Sequence, residues 1–211
     1  MDQAKGDEMT RMTGRGTTIR GATAALFLAC LALFLQAGMK QALAEDPPGM
    51  NMSLPDNDLV DAAKSGDIRA IHVAVMGGLS PDDSGSGNIP AIVVAADNGH
   101  LDAVKYLLSI GAHPNNRDKD SRTALSVVAQ SGRADIAAAL LDGGADPNET
   151  AENRDTPLMI AIRAHRTSVV KVLIDHKADV EDTDVTGRSA TDLAEERHYD
   201  DILNILRQAG G

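Results

Sequence analysis

The sequence predicts an all-α fold, a solenoid of five stacked helix-turn-helix repeats preceded by a signal peptide, and three observations carry that expectation. Its punctuation returns every 33 residues: Thr123 is answered by Pro90, Thr156 and Ser189, and Gly132 by Gly66, Gly99, His165 and His198. A second series, Gly78, Gly111, Gly144 and Gly210, keeps the same register with no insertion. Leu107, Leu140, Leu173 and Leu206 mark one recurring apolar position. A fixed period of this length belongs to a stack of units, each too small to bury its own apolar face.

The first 44 residues are of a different kind. Lys5, Arg11, Arg15 and Arg20 precede 19 uncharged, mostly apolar residues, 21–39, and Ala42-Leu43-Ala44 then offers small side chains at the spacing a signal peptidase accepts. Residues 1–44 are therefore expected to be a signal peptide, with Ala42 and Ala44 as the cleavage residues. The most apolar stretch, 22–35, is 14 residues long, short of the ~20 that cross a bilayer. An uncleaved inner-membrane anchor is the alternative. Asp2, Asp7 and Glu8 are out of place in a basic leader, which makes Met9 and Met12 alternative starts. Cys30, the only cysteine, reads as apolar filler of the leader rather than a lipid attachment site. With the leader removed, no disulfide remains and stability rests on stacking.

Residues 45–51 form a short proline-containing linker, and repeats are expected at about 52–84, 85–117, 118–150, 151–183 and 184–211. In the first, Asn57 to Gly66 and Asp67 to Gly78 read as the two helices, and Asp58, Asp61 and Lys64 give it the polar outer end of a capping unit. The glycine- and serine-rich loop from Asp82 to Asn88 is expected to be the most flexible. In later repeats a Thr or Ser oxygen caps the first helix, and Pro157 at the first helical position sacrifices no hydrogen bond. Gly66, Gly99 and Gly132 end that helix in a left-handed reversal, the second helix carries the recurring leucine, and the second glycine series closes it. The fifth repeat has Thr191 in place of a leucine, and Asp192, Glu195, Glu196, Asp200, Asp201 and Arg207 crowd its faces. It is expected to close the stack against water, with no further domain after Gly210-Gly211.

On these residues the chain resembles ankyrin repeat proteins. The matching text is Ala95-Ala96-Asp97-Asn98-Gly99-His100, Leu107-Leu108, Gly111-Ala112, Gly144-Ala145-Asp146-Pro147-Asn148 and Thr156-Pro157-Leu158, and the likeness runs from about Met52 to the end. It implies helix pairs joined by short β-turn fingers, in a curved stack that binds other macromolecules along a concave face. The histidine that usually follows Thr-Pro-Leu is replaced by Val93, Ser126, Met159 and Asp192, so the hydrogen bonds it makes are expected to be missing. Asn88, Ser121 and Arg154 replace finger glycines and leave only Gly187, so three fingers are expected to depart from the usual turn.

The same architecture lines the concavity with finger tips and the solvent side of each first helix. The partner-binding residues it implies are Asp97, Asn98, Arg117, Lys119, Asp120, Arg122, Gln130 and Ser131, continued by Glu152, Asn153, Asp155, Arg163, Thr183, Val185, Arg188, Glu196 and Arg197. Beyond the leader only Tyr106 and Tyr199 are aromatic. Hot spots favour Trp, Tyr and Arg, so arginine is expected to anchor a folded protein partner with moderate, salt-sensitive affinity.

Charge and motifs narrow the function further. The formal net charge is −11, and setting aside the leader's 5 basic and 3 acidic residues leaves 15 basic against 28 acidic. Duplex nucleic acid and anionic lipid are poor partners for such a chain. It has no phosphate-binding glycine loop, no helical histidine pair spaced for zinc and no nucleophile elbow. No catalytic, cofactor or metal residue is therefore assigned. A metal protein or enzyme using His165 and His198, with His176 nearby, is the remote alternative. Asn51 and Asn148 would be glycosylation acceptors only in a eukaryotic secretory pathway. The expectation is a monomeric, periplasmic, non-enzymatic module whose protein partner the sequence does not name.

Overall fold

The computed structural model describes residues 58–85, 87–151 and 154–209. The expected leader with Ala42 and Ala44, the linker, and the partner-binding candidates Glu152 and Asn153 lie outside the described residues.

Among the described residues are ten helices: α1 (Asp58–Ser65), α2 (Ile68–Met76), α3 (Ala91–Asn98), α4 (Leu101–Ser109), α5 (Ala124–Ser131), α6 (Ala134–Asp142), α7 (Pro157–Arg163), α8 (Thr167–Asp175), α9 (Ala190–Glu196) and α10 (Asp200–Ala209). The first helix of each pair starts 33 residues after the last, as the sequence spacing requires. Local chemistry sets these starts. Thr156 accepts a bond from Met159 N at 3.3 Å, and Thr123 accepts one from Ser126 N at 3.2 Å. At two of the positions where the family histidine is replaced, the substitute bonds back to the cap: Ser126 Oγ accepts from Thr123 N, and the Asp192 carboxylate accepts from Ser189 N. The expected loss of hydrogen bonds there is corrected at Ser126 and Asp192, whose short polar side chains complete a capping box.

The reversals follow the glycines, with Gly66, Gly99 and Gly132 at φ +73°, +83° and +88°. Where glycine is absent the backbone does not change. Asn88, Ser121 and Arg154 stand at φ +52°, +58° and +59°, in the same region as Gly187 at +81°. The expected departure of three fingers is thus corrected. The turn persists because backbone bonds over-determine it: Ser121 N donates to Asp118 O, and Asp118 N to Arg122 O, both at 3.0 Å. Equivalent closures join Ala151 to Asp155 and Asp184 to Arg188. Isolated antiparallel bridges Ser84–Pro90, Arg117–Thr123 and Thr183–Ser189 are the strand-like features. The described part of the Asp82 to Asn88 loop is also tied down, since the Asp82 carboxylate accepts from His113 N, His113 Nδ1 and Asn116 Nδ2.

Packing runs in two rows. First helices touch in the series α1, α3, α5, α7, α9, and second helices in the series α2, α4, α6, α8, α10. Leu107, Leu140, Leu173 and Leu206 are all buried between the rows. Removing one such side chain to alanine costs about 2–5 kcal/mol. Each boundary also brings the first-helix reversal of one pair against a side chain of the next: His100 over Gly66, Arg133 over Gly99, Arg166 over Gly132. A polar ladder repeats beside them, in which Asp82, Asn115 and Asn148 oxygens accept from the backbone N–H of His113, Asp146 and Asp179.

The two ends differ. On α10, Asp200, Asp201 and Arg207 are exposed while Ile202, Leu203 and Leu206 are buried, as a closing unit requires. At the other end Asp61 and Lys64 are exposed on α1. However, α2 exposes Ile68, Val73 and Met76, the last by 74 %. The expected polar cap is therefore confined to the first helix of that pair.

Candidate partner-binding face

Among the described residues, two clefts lie along the fingers and first helices. The larger, about 410 Å³, lies between α5 and α7 and is lined by Arg122, Ser126, Val127, Gln130, Ala151, Asp155, Ile160, Arg163 and Ala164. The smaller, about 300 Å³, is lined by Val60, Asp61, Lys64, Ile89, Val93, Val94, Asp97, Asn98 and Arg122, with Gly85 and Gly87 at its edge. Arg122 borders both. Of the expected partner-binding residues, the structure thus gathers Asp97, Asn98, Arg122, Gln130, Asp155 and Arg163 at the clefts. Lys119, Asp120, Ser131, Thr183, Val185, Glu196 and Arg197 are exposed but line neither.

Four of the five expected arginines, Arg117, Arg122, Arg163 and Arg188, are ion-paired within the chain, while Arg197 is exposed and has no ion pair among the described residues. Asp118, a buried finger residue, accepts from Arg122 N and Arg122 Nε at 2.8 and 2.9 Å, and its second oxygen pairs with Arg122 Nη2. Asp184 repeats the device in the fifth finger, accepting from Thr186 N and Oγ1 and from Arg188 N, Nε and Nη2. The Thr186 hydroxyl, followed by backbone N–H groups of Arg188 and Thr186 and by Arg163, outweighs burial and holds the Asp184 carboxyl well below the usual carboxylate range. The same Asp184 contact raises the Arg188 guanidinium, whose Nη1 also reaches Glu196 at 2.8 Å. Arg117 pairs with Glu149.

The fourth finger breaks the pattern instructively. Ala151 occupies the position of Asp118 and Asp184, so that turn has no carboxylate at its first residue. Arg163 takes over from α7, bridging Asp155 at 3.1 Å and Asp184 at 2.6 Å. Its Nε is buried and has no hydrogen-bond partner among the described residues, while its Nη2 is held by the two carboxylates.

What the face offers a partner is therefore an apolar floor between neutralised charges. Val94, Val127 and Ile160 recur at 33-residue spacing along the first helices and supply that floor. Their 33-residue interval is readable in the sequence, but the same interval marks core positions, so it does not by itself place them on a surface. Polar groups at the rim keep hydrogen-bonding capacity: Gln130 is exposed, its carbonyl alone being used by Arg166 Nε at 3.0 Å. Asn98 Nδ2 is spent on Val94 O at 2.8 Å.

The histidines lie elsewhere, at pair boundaries. His165 contacts Tyr199 and Asp201, and no described contact joins it to His198, its partner in the remote metal alternative. Among the described residues no group of three His, Cys, Asp or Glu side chains could hold a metal ion. No helix among them is long and apolar enough to cross a membrane.

Helix pairs in two rows, joined by turns and presenting one indented face, define a helical repeat solenoid. The family described as ankyrin repeats (three copies) matches residues 59–151 and 140–211. The chain belongs to the ankyrin repeat family. Ankyrin repeats are generally protein–protein interaction modules, and the family is typically non-enzymatic. A search of curated proteins finds no match to the chain.

Proposed function

We propose that the chain is a non-enzymatic protein-binding module of five repeats, exported to the periplasm, which holds one partner protein on the finger and first-helix face. The observation that carries this reading is the cleft between α5 and α7, whose apolar floor and paired walls suit a protein surface rather than a charged small ligand. Because Arg117, Arg122, Arg163 and Arg188 are already paired, salt acts mainly on long-range steering by the acidic chain and less on the docked contact. The leader's basic start, apolar stretch and Ala42-Leu43-Ala44 support export.

Capture from an exported fraction with the tagged full-length chain tests both parts. A partner held by the native chain, lost on Val127→Asp or Gln130→Arg and kept on Lys105→Glu of the second-helix row, is the expected result. Equal capture by all four sinks the assignment of the face. Intact mass reports the leader: a chain shortened to start at Glu45 is expected. An unshortened chain resisting carbonate extraction would favour the second reading, an inner-membrane tether facing the periplasm.

A further inference from the structure

Five of the six histidines bond across a pair boundary. His72 reaches the Tyr106 hydroxyl, His100 the Lys64 carbonyl, His113 the Asp82 carboxylate, His165 the Asp201 carboxylate and His176 the Asp142 carboxylate. His176 differs from the rest in the number of acceptors it meets. It sits at the C-terminal end of α8, with Nδ1 2.8 Å from Val172 O of its own helix and Nε2 3.3 Å from Asp142 Oδ1 on α6. A neutral imidazole carries one N–H and can satisfy only one of these, whereas the imidazolium satisfies both. The negative end of the α8 dipole favours the same form.

The geometry points to His176 as a proton-operated clasp between the third and fourth helix pairs, closed when the ring is charged and slack when it is neutral. The charged groups around it agree. Asp142 faces it from α6 and Asp175 flanks it on its own helix. The next residue, Lys177, is exposed. α10 packs on α8 with Ile205, Gln208 and Ala209 near Lys171 and Asp175, none of the three charged. The Val172 carbonyl first, then the Asp142 carboxylate, raise the His176 pKa above its ordinary value. A raised folded value means that the clasp contributes fully below the unfolded value of about 6.5 and is lost as pH rises through the folded one.

The site of this clasp gives it a role in the reading proposed above, on which this last step rests. α6 and α8 belong to the same two pairs whose first helices, α5 and α7, wall the larger cleft. Closing the back row fixes the angle between the pairs, and so the width of the cleft in front. Acidification then stiffens the binding face.

The test uses the full-length chain without a partner, so its failure leaves the protein-binding reading standing. The His176 ring is titrated by NMR, and melting is followed from pH 5.5 to 8.5 for the native chain, His176→Gln and Asp142→Asn. The His176 midpoint is expected above the ordinary range and to fall in Asp142→Asn. The melting difference between native and His176→Gln chains is expected to shrink as pH rises. Asp142 is an exposed side chain, so its variant keeps the fold. A His176 midpoint unmoved by Asp142→Asn, or a melting difference constant across that range, overturns the clasp.

Discussion

The imidazole of His165 lies flat on the phenol ring of Tyr199, with centroids 3.9 Å apart and planes 3° from parallel. At the three preceding boundaries a glycine stands where His165 stands, and the next pair lays His100, Arg133 or Arg166 over it. At this fourth boundary two aromatic faces meet instead. The Asp201 carboxylate adds bonds to Thr167 Oγ1 at 2.6 Å and His165 Nε2 at 3.2 Å, and these, the hydroxyl first, hold it below its ordinary pKa.

The stack makes Tyr199 the aromatic that matters for holding the last pair. Tyr199→Leu keeps apolar bulk but loses the ring contact, and is expected to destabilise the chain by about 1 kcal/mol. Equilibrium urea unfolding checks this, with Tyr199→Phe close to native because the stack needs only the ring.

Lys177 offers the opposite opportunity. It holds φ +66° where the equivalent residues are Gly78, Gly111 and Gly144, and its side chain is exposed. Lys177→Gly removes backbone strain of about 1–2 kcal/mol and adds unfolded-state freedom of about 0.4–1 kcal/mol. A modest rise in melting temperature is expected. His165→Gly relieves the same kind of strain but gives up the stack, so it is expected to gain nothing.

Gly99 and Gly111 separate conformational from steric demand. Both have positive φ, +83° and +95°, yet a Cβ on Gly99 would sit 1.2 Å from Arg133 Nη1, while one on Gly111 meets nothing within 4 Å. Gly111→Ala is expected to cost about 1–2 kcal/mol from the backbone alone. Gly99→Ala should cost a similar amount, because the Arg133 guanidinium is the free end of a long side chain and can swing off the new Cβ, and the double variant Gly99→Ala with Arg133→Ala should match it. Thermal unfolding of the three variants decides it.

Asp184 supplies the acid-side prediction. Its folded pKa is depressed, so its contribution is present above the unfolded value and is lost as pH falls toward the folded one. Asp184→Asn is expected to lower the melting temperature at pH 7 and to flatten the loss of stability below about pH 4. A melting curve that falls as steeply with acid as that of the native chain would remove Asp184 from the account.

The helices were readable in the sequence because the constraints that set them are local and recur: a cap at Thr156, a reversal at Gly132, a leucine at 140. The fingers were misread at Asn88, Ser121 and Arg154, where residue preference pointed away from a left-handed turn that backbone bonding enforces. At the candidate face, exposed tips such as Lys119 and Val185 were legible, but the fate of the arginines was not. Arg117 meets Glu149, and Arg163 meets Asp184, only once successive pairs are stacked. One clue was available: Asp118 with Arg122 and Asp184 with Arg188 share a spacing of four, 66 residues apart. The apolar edge at Ile68, Val73 and Met76 was hidden because it depends on which face of α2 the other described helices leave uncovered.

Arg163 serves two turns at once, gripping Asp155 before the seventh helix and Asp184 in the turn that precedes the ninth. Neither turn can swing aside without dragging the other. A load placed on the fourth finger would therefore be shared with its neighbour, the fifth.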